Sequence, residues 1–421
     1  MRGDKCLKKI ITFLGTGDYK ETTYSYINKI TGENIKVTTR FIQEAIHKIV
    51  GNDSIIYVGL TECARKTNWV DNEQKEGLKS IFESKGIRFR ELPLLDGKNE
   101  EEVWNNFDAI FEALEEGDDV YVDVTHSFRS IPIVIMSVLN YAKFIKSITI
   151  KAIYYGAFDA KEDEISPIFD LSLFNTITDW AIGAEKFLNT GDSKQLSRMV
   201  KETIAPILRE TEGKNEEARL SRQINDNLEA FSGALYTVRG TKISEYGCNL
   251  KRSLESIKAK AIEESQLKPF EKILDKIYEK VYFYSGDIIK DIHNTVKICR
   301  DLNLIQQAYT FLMENIVNYL CVAANLDLSN KNIREAISFV ISFYNERYDR
   351  NLSEEYEDIN KQIKPYLKQS IVELYDKLGG YRNDLNHAGY RQDARRIQKF
   401  KKDLDEFINK FEQLIIEKCS K

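Results

Sequence analysis

The sequence predicts an α/β domain followed by an all-α domain, and three observations support this division. Short β-branched runs alternate with helical patterns in the first part of the chain, as in a parallel sheet with crossover helices. After about residue 170 the strand signals nearly vanish, and long amphipathic stretches follow. The length of 421 residues also exceeds the usual size of one domain. We therefore expect domains at residues 1–170 and 171–421.

Five runs in the first domain have the apolar, β-branched composition of buried strands. They are Lys9–Gly15, Ser54–Leu60, Ile87–Leu92, Asp119–Val124 and Ile148–Gly156. Helical patterns lie between them, at Phe41–Val50, Asn72–Ser84, Glu100–Glu115 and Arg129–Ile145. This alternation predicts a parallel sheet that is covered by helices on both faces.

The second domain is predicted to be helical throughout. Its helices are expected at Leu267–Leu302, Ile305–Asn325, Asn332–Tyr344, Ser353–Leu378 and Asp393–Lys418. The most polar stretch, Glu212–Asn227, is either a loop or an exposed helix end. No Pro/Gly/Ser-rich tether separates the domains, which indicates a junction through helix or tight packing.

The formal net charge of −5 is unlike that of a nonspecific nucleic-acid binder, so stable DNA binding is not expected. An RNA substrate would have to be held by local basic clusters. The six cysteines have no zinc-ribbon or redox spacing, which is typical of a protein of the reducing cytoplasm. No signal peptide is visible, and the most apolar stretch, Ser130–Ile145, is too short to span a bilayer, so no membrane association is expected.

Polar and glycine residues follow two of the predicted strands. In an open parallel sheet, ligands bind beyond the carboxyl ends of the strands. The first strand ends in "GTGD", where Gly15 and Gly17 would let backbone amides approach a ligand or would simply form a tight turn. The fourth strand ends in "DVTHSFRSIP", whose hydroxyls, His126 and Arg129 suit a phosphate or ribose. Helix capping by Thr125 or Ser127 is the simpler alternative.

The stretch "YRNDLNHAG" places Arg382 five positions before His387, with Asn383 directly after the arginine. Five residues along a helix correspond to about 140° after one full turn, so the two side chains converge only if the helix begins or bends near Arg382. Glycines just before Arg382 permit such a boundary. Asp384 is expected to face solvent. A solvated surface helix is the alternative for this short motif.

The remaining histidines indicate less. His47 lies on an amphipathic helical pattern and is expected at a surface or interface. His293 has no arginine at matching spacing and is expected to be structural.

The three motifs "FLGTGDY", "DVTHSFRSIP" and Arg-x-x-x-x-His, in this order, resemble the CRISPR-associated CARF–HEPN ribonucleases of type III systems. The stretch Ile177–Asp192 also resembles that family's entry into its helical half. The resemblance implies a Rossmann-like CARF sensor at residues 1–170, followed by a helical linker and HEPN nuclease at 171–421. Residues from about 192 to 370 match only in their helical character.

The family resemblance also implies a function. The CARF domain would bind a cyclic oligoadenylate, cyclic tetraadenylate being the expected activator, in a pocket shared by a homodimer. The HEPN domain would cleave single-stranded RNA without a metal or other cofactor, by attack of the 2′-OH to leave a 2′,3′-cyclic phosphate. The residues implied are Gly15, Thr16, Gly17, Asp18, Thr125, His126, Ser127 and Arg129 for the ligand, and Arg382, Asn383 and His387 for catalysis.

Two other functions remain open from the sequence. The protein could be a sensor without catalysis, in which the helical half is an interaction module. It could also be a ring nuclease, in which the CARF pocket cleaves its own messenger.

Overall fold

The computed structural model describes residues 8–28, 32–73, 75–126, 131–260, 267–345, 352–390, 392 and 394–419. The chain divides after Thr176 into two compact units. The first is an α/β unit, and the second is a helical unit. The division lies six residues beyond the position expected from the sequence pattern.

The α/β unit is built around one sheet that, within the described residues, has eight strands. These are β1 Lys8–Leu14, β2 Thr22–Ile27, β3 Asn34–Thr39, β4 Ser54–Leu60, β5 Phe89–Pro93, β6 Asp119–Asp123, β7 Thr149–Gly156 and β8 Ile165–Asp170. Their order across the sheet is β3-β2-β8-β7-β6-β1-β4-β5. The five predicted strands correspond to β1, β4, β5, β6 and β7, which are parallel to one another. The parallel, Rossmann-like core is therefore confirmed.

Three strands were not predicted. β2 and β3 form a hairpin of alternating, largely polar residues, and β8 contains Pro167, a residue that is rare in central strands. β8 pairs antiparallel with β7, and β2 pairs parallel with β8. These three strands extend the sheet beyond β7, so the sheet is mixed instead of purely parallel.

Helices cover both faces of the sheet, as predicted. They are α1 Ile42–Val50, α2 Glu62–Ala64, α3 Leu78–Ser84, α4 Glu100–Glu112 and α5 Ile131–Ile145, with a π-helical turn at Arg65–Trp69. One core cluster packs α1 and α3 against the sheet, and a second packs α4 and α5 against the other face. Burial on both faces explains why β1 and β4 read as nearly continuous apolar runs.

The helical unit shares one core. Its helices are α6 Ser172–Thr190, α7 Lys194–Glu210, α8 Glu216–Tyr236, α9 Gly240–Lys258, α10 Lys268–Tyr278, α11 Ile288–Asp301, α12 Ile305–Ala323, α13 Lys331–Phe343, α14 Glu354–Ile363, α15 Gln369–Asn386 and α16 Ile397–Cys419. The polar stretch Glu212–Asn227 largely belongs to α8. The all-α prediction for the second half is confirmed.

Two predicted long helices are each divided. Leu267–Leu302 breaks around Gly286, because the buried carboxylate of Asp291 accepts hydrogen bonds from the amides of Ser285 and Gly286 and so stabilises a turn. Ser353–Leu378 breaks at Pro365, since proline lacks the amide that a helix interior needs.

Gly247 of α9 faces the ring of buried Tyr284, and a Cβ at position 247 would lie 2.6 Å from two of its ring carbons. The hydroxyl of Tyr284 is hydrogen-bonded to Thr295 at 2.7 Å, which restrains the ring. We expect Gly247→Ala to lower the free energy of unfolding by about 1–3 kcal/mol through overpacking. Gly233→Ala, on a helix surface with no neighbouring atom within 4 Å, is the matched control and should stabilise by up to about 1 kcal/mol. Chemical denaturation followed by circular dichroism tests this, and equal effects would contradict it.

His293 of α11 is 4% exposed, and its burial lowers its pKa to about 4. Because the unfolded chain binds this proton more readily, the contribution of His293 to stability falls as the pH drops from about 6.5 towards 4. We expect wild type to lose about 2 kcal/mol more than His293→Phe between neutral pH and about pH 5. Denaturation at the two pH values measures the difference. Equal losses of unfolding free energy in wild type and His293→Phe would show that the pKa of His293 is not lowered by burial.

Candidate functional site

The N-terminal candidate site lies at the point where the strand order of the sheet reverses. Among the five parallel strands, β4 and β5 follow one another on one side of β1, and β6 and β7 then lie on its other side, while β2 and β3 form the far edge beyond β8. The crevice at such a reversal, beyond the carboxyl ends of the strands, is the usual ligand position of open α/β sheets. Here it lies between β1 and β6, whose following loops are the two that the sequence singled out.

A buried carboxylate ties these two strand ends together. Oδ2 of Asp123 accepts the hydroxyl hydrogen of Thr12 at 2.6 Å. Oδ1 accepts from both the amide and the hydroxyl of Thr125, at 3.0 and 2.5 Å. The Thr125 hydroxyl in turn accepts from the amide of Gly156 on β7 at 2.8 Å. The Thr125 hydroxyl therefore donates to Asp123 and accepts from β7. It has little remaining hydrogen-bonding capacity for a ligand.

The loop after β1 is open but anchored. Thr16, Gly17 and Asp18 are exposed, and the carboxylate of Asp18 forms an ion pair with Lys75. The side-chain amide of Asn68, in the π-helical turn, donates to the carbonyl oxygens of Gly15 and Gly17, each at 2.9 Å. These two hydrogen bonds hold the loop on the side of Asn68, while Thr16, Gly17 and Asp18 remain exposed to solvent.

Tyr19 and His126 join the two loops. Their rings stack with centroids 4.1 Å apart, and the Tyr19 hydroxyl accepts from the amide of Gly15 at 2.8 Å. A Cβ at Gly15 would lie 2.8 Å from that hydroxyl and 3.4 Å from the carbonyl oxygen of His126, so a larger residue there would displace the Tyr19 hydroxyl. The structure thus brings Gly15–Asp18 together with Thr125 and His126.

His126 is the titratable group at this position. Burial lowers its pKa, opposed by the negative charge of Asp123, so its ring is neutral near pH 7. Its Nε2 is buried and has no hydrogen-bond partner in the part of the chain that the structure describes. Ser127 and Arg129, the other two residues singled out in this loop, lie outside the described residues.

Three residues of this site were missed by sequence reasoning. Asn68 and Tyr19 hold the loop, and Gln43 of α1 donates to Thr12 Oγ1 at 3.1 Å and to the carbonyl of Phe13 at 3.0 Å. The Oε1 atom of Gln43 is buried without a partner among the described residues. Asn68 and Gln43 lie far along the chain from both loops, and no local motif marks them.

The C-terminal motif lies on α15, which runs unbroken from Gln369 to Asn386. The helix boundary or bend that Gly379 and Gly380 would permit near Arg382 is therefore absent from α15. The helix ends instead at Asn386, with His387 as the capping residue and Ala388 and Gly389 at positive φ. Arg382 and His387 of one chain keep the angular separation of about 140° that a helix imposes.

Arg382 is partly buried and faces α12. One of its terminal nitrogens, Nη1, lies 3.9 Å from Sδ of Met313, while its Nε is buried without a hydrogen-bond partner among the described residues. Asn386, one turn further, accepts a hydrogen bond from the side chain of Gln306 on the same helix α12 at 3.3 Å. Arg382 and Asn386 thus share the face of α15 that meets α12.

Asn383 and His387 are exposed, so both are accessible to a substrate. Asp384 is only 2% exposed, which corrects the expectation that it faces solvent. Its Oδ2 accepts from the amide of Arg395 at 2.8 Å, with the guanidinium 3.5 Å away. Asp384 therefore ties the segment after the helix back onto α15, a role that only the tertiary structure shows.

His47 is buried on α1 with a pKa lowered by burial, so of the two expected positions, surface or interface, the surface position is wrong. Among the described residues, no group of three His, Cys, Asp or Glu side chains is arranged to hold a metal ion. The described helices also include none that is both long and apolar enough to cross a bilayer.

Comparison with known proteins supports the two-part architecture. Residues 9–159 match the family described as "CRISPR system endoribonuclease Csx1, CARF domain". Residues 176–282 match the family described as "CRISPR-associated protein MJ1674, second domain". The first match covers both loops of the N-terminal candidate site.

A similar full-length protein is the CRISPR-associated protein MJ1674 of Methanocaldococcus jannaschii. It is 26% identical over 461 residues, an alignment that covers 96% of this chain and 65% of that protein. The chain thus spans slightly less than two thirds of the relative's length. Taken with the fold, these matches show that the first part of the chain is similar to Csx1-type CARF domains and support a CRISPR-associated accessory protein with an N-terminal CARF domain.

Proposed function

We propose that this protein is a cytoplasmic, metal-independent endoribonuclease that a cyclic oligoadenylate activates. The observation that carries the proposal is the end of α15, where an accessible His387 follows a partly buried Arg382 in a chain with a Csx1-type CARF domain. The name of that matched family, a CRISPR endoribonuclease, supports the same activity. Antiviral defence alongside a type III CRISPR complex is the corresponding role.

The proposed activator binds at the strand-order reversal. An adenylate ring offers phosphates, ribose hydroxyls and adenine edges, which suit the open Gly15–Asp18 loop and the unpartnered nitrogen of His126. Ser127 and Arg129 are proposed to contribute as well. A homodimer would place two copies of this loop pair around one symmetric ligand.

The proposed reaction is transesterification within the RNA. The 2′-oxygen forms a bond to the adjacent phosphorus as it loses its proton, and the bond from phosphorus to the 5′-oxygen breaks as that oxygen gains one. The products are a 2′,3′-cyclic phosphate and a 5′-OH. His387 is proposed to transfer a proton and Arg382 to stabilise charge on the phosphate oxygens, with Asn383 beside them.

A dimer also suits this chemistry. One step needs a base at the 2′-OH and an acid at the 5′-oxygen, yet each chain supplies one histidine at this motif. Arg382 and His387 diverge around α15 by about 140°, so a second copy could complete the set. The activator would act by favouring the dimer arrangement in which the two sets meet.

Cleavage of a labelled single-stranded RNA in EDTA tests the proposal. Wild type is expected to cut only with cyclic tetraadenylate, and His387→Ala is expected to lower the rate at least ~100-fold, the usual range for loss of a proton-transfer group. The products should carry a 2′,3′-cyclic phosphate. Arg382→Lys serves as a second variant, because it keeps the charge but loses the planar fork of donors.

Three outcomes would change the assignment. Ligand-dependent cutting that survives in His387→Ala would place catalysis elsewhere. A wild type that binds the ring but never cuts RNA would be a sensor without catalysis. Loss of the cyclic oligoadenylate itself in His387→Ala would instead indicate a ring nuclease in the CARF domain.

Asn68 gives a separate prediction for the sensor site. Asn68→Ala removes both contacts to the Gly15–Gly17 carbonyls, so the loop must be ordered on binding and the affinity for cyclic tetraadenylate should fall about tenfold. At saturating ligand the RNA cleavage rate should return to that of wild type. Calorimetric titration and cleavage assays measure the two effects. An unchanged affinity, or a rate that saturating ligand does not restore, would contradict this positioning role.

A further inference from the structure

The segment that follows the catalytic motif is strongly basic, although the chain as a whole is acidic. Residues 394–402 contain five basic residues and no carboxylate, against a net charge of −5 for the protein. Arg396, Lys399, Lys401 and Lys402 are exposed and form no ion pair with any described residue. Other exposed lysines of the helical unit are paired with a carboxylate, as Lys201 is with Glu229 and Lys410 with Glu406.

This basic segment is held close to the end of α15. Arg395 donates to the carbonyl oxygen of Gly380 at 3.0 Å, and its guanidinium lies 4.2 Å from the ring centroid of Tyr381. Its amide is bound by Asp384, as described above. These contacts of Arg395 hold the backbone of the next residue, Arg396, close to the last two turns of α15.

Lys399 is exposed in the first turn of α16, and its spacing from Asp403 places the two on the same side of that helix. Asp403, four residues later on the same face, accepts a hydrogen bond from the hydroxyl of Tyr381. The chain reverses direction between α15 and α16. A residue earlier in α16, such as Lys399, therefore lies nearer to the C-terminal end of α15 than Asp403, which contacts Tyr381. One helical turn is about 5.4 Å, which brings Lys399 to the level of the residues just before His387.

An aromatic side chain completes this surface. Tyr390 is 92% exposed, an unusual position for an aromatic ring. Its amide donates to the carbonyl oxygen of His387 at 3.0 Å, so the two residues belong to one tight turn. The ring is therefore available to solvent in the same turn as the histidine.

We propose that Tyr390, Arg396 and Lys399 bind the single-stranded RNA substrate next to His387. The two cations would contact phosphates flanking the scissile bond, and the Tyr390 ring would stack on a base. Both contacts are available from any nucleotide, so this surface binds single strands with little sequence preference. The inference rests on the proposed ribonuclease function and adds the substrate-binding surface to it.

Binding of an uncleavable 2′-O-methyl single-stranded RNA to full-length protein tests the inference independently of catalysis. Fluorescence anisotropy would be measured in the His387→Ala background, with and without cyclic tetraadenylate. Tyr390→Ala should raise the Kd about tenfold, while Tyr390→Phe, which keeps the ring, should not. The double variant Arg396→Ala/Lys399→Ala should lower the slope of log K against log salt by about 1.4, from about 0.7 per phosphate contact on a single strand.

Matched controls lie in the same helical unit. Tyr282 is 56% exposed, and Lys268 and Lys272 are exposed on α10. Tyr282→Ala and Lys268→Ala/Lys272→Ala should leave both Kd and salt slope unchanged. Controls as harmful as the test variants, or test variants that bind like wild type, would overturn the inference. If the test variants, made in a chain that retains His387, cleave RNA as fast as wild type, the binding surface is wrong and the ribonuclease assignment stands. If the test variants lower RNA binding but wild type does not cleave RNA, the binding surface stands and the ribonuclease assignment is wrong.

Discussion

The N-terminal site depends on one buried carboxylate. Asp123 ends β6 where it lies beside β1, and its two oxygens accept three hydrogen bonds from the ends of both strands. A carboxylate without exposed surface is tolerated only with such partners, since an unpaired buried charge costs several kcal/mol. The same contacts that satisfy Asp123 also set the spacing of the two loops. One buried group therefore ties the end of β1 to the start of the loop after β6.

At the other end of the chain, aromatic packing provides the support. The ring of Tyr381 stacks on Tyr309 of α12 with centroids 5.2 Å apart and contacts Phe400 and Phe407 of α16 edge-on. Three helices are thus joined directly beneath the Arg382–His387 turn. Functional side chains held on rigid elements keep their geometry better than those on loops. This packing supports the last turns of α15, from which the exposed Asn383 and His387 and the partly buried Arg382 extend.

Much of this architecture was predictable, and the errors have physical causes. The five parallel strands were evident because burial on both faces makes them continuously apolar. The hairpin β2–β3 was missed because its polar, alternating residues resemble a loop, and β8 because of Pro167. The loops after β1 and β6 were singled out from local sequence alone, and their role in binding stays a prediction. Asn68, Gln43 and the burial of Asp384 were not, because each depends on a partner distant in sequence or on a fold-dependent turn.

Charge distribution gives the proposed enzyme a way to remain inactive without its activator. Beyond a Debye length of about 8 Å the net negative charge offers RNA no attraction, and only the local cations of residues 394–402 act at close range. Two or three phosphate contacts at cellular salt give weak binding. RNA would therefore not drive assembly of the active dimer by its own affinity. Under the proposed function, control would remain with the ligand at the CARF domain, since only a partner that binds the active arrangement more tightly shifts the equilibrium.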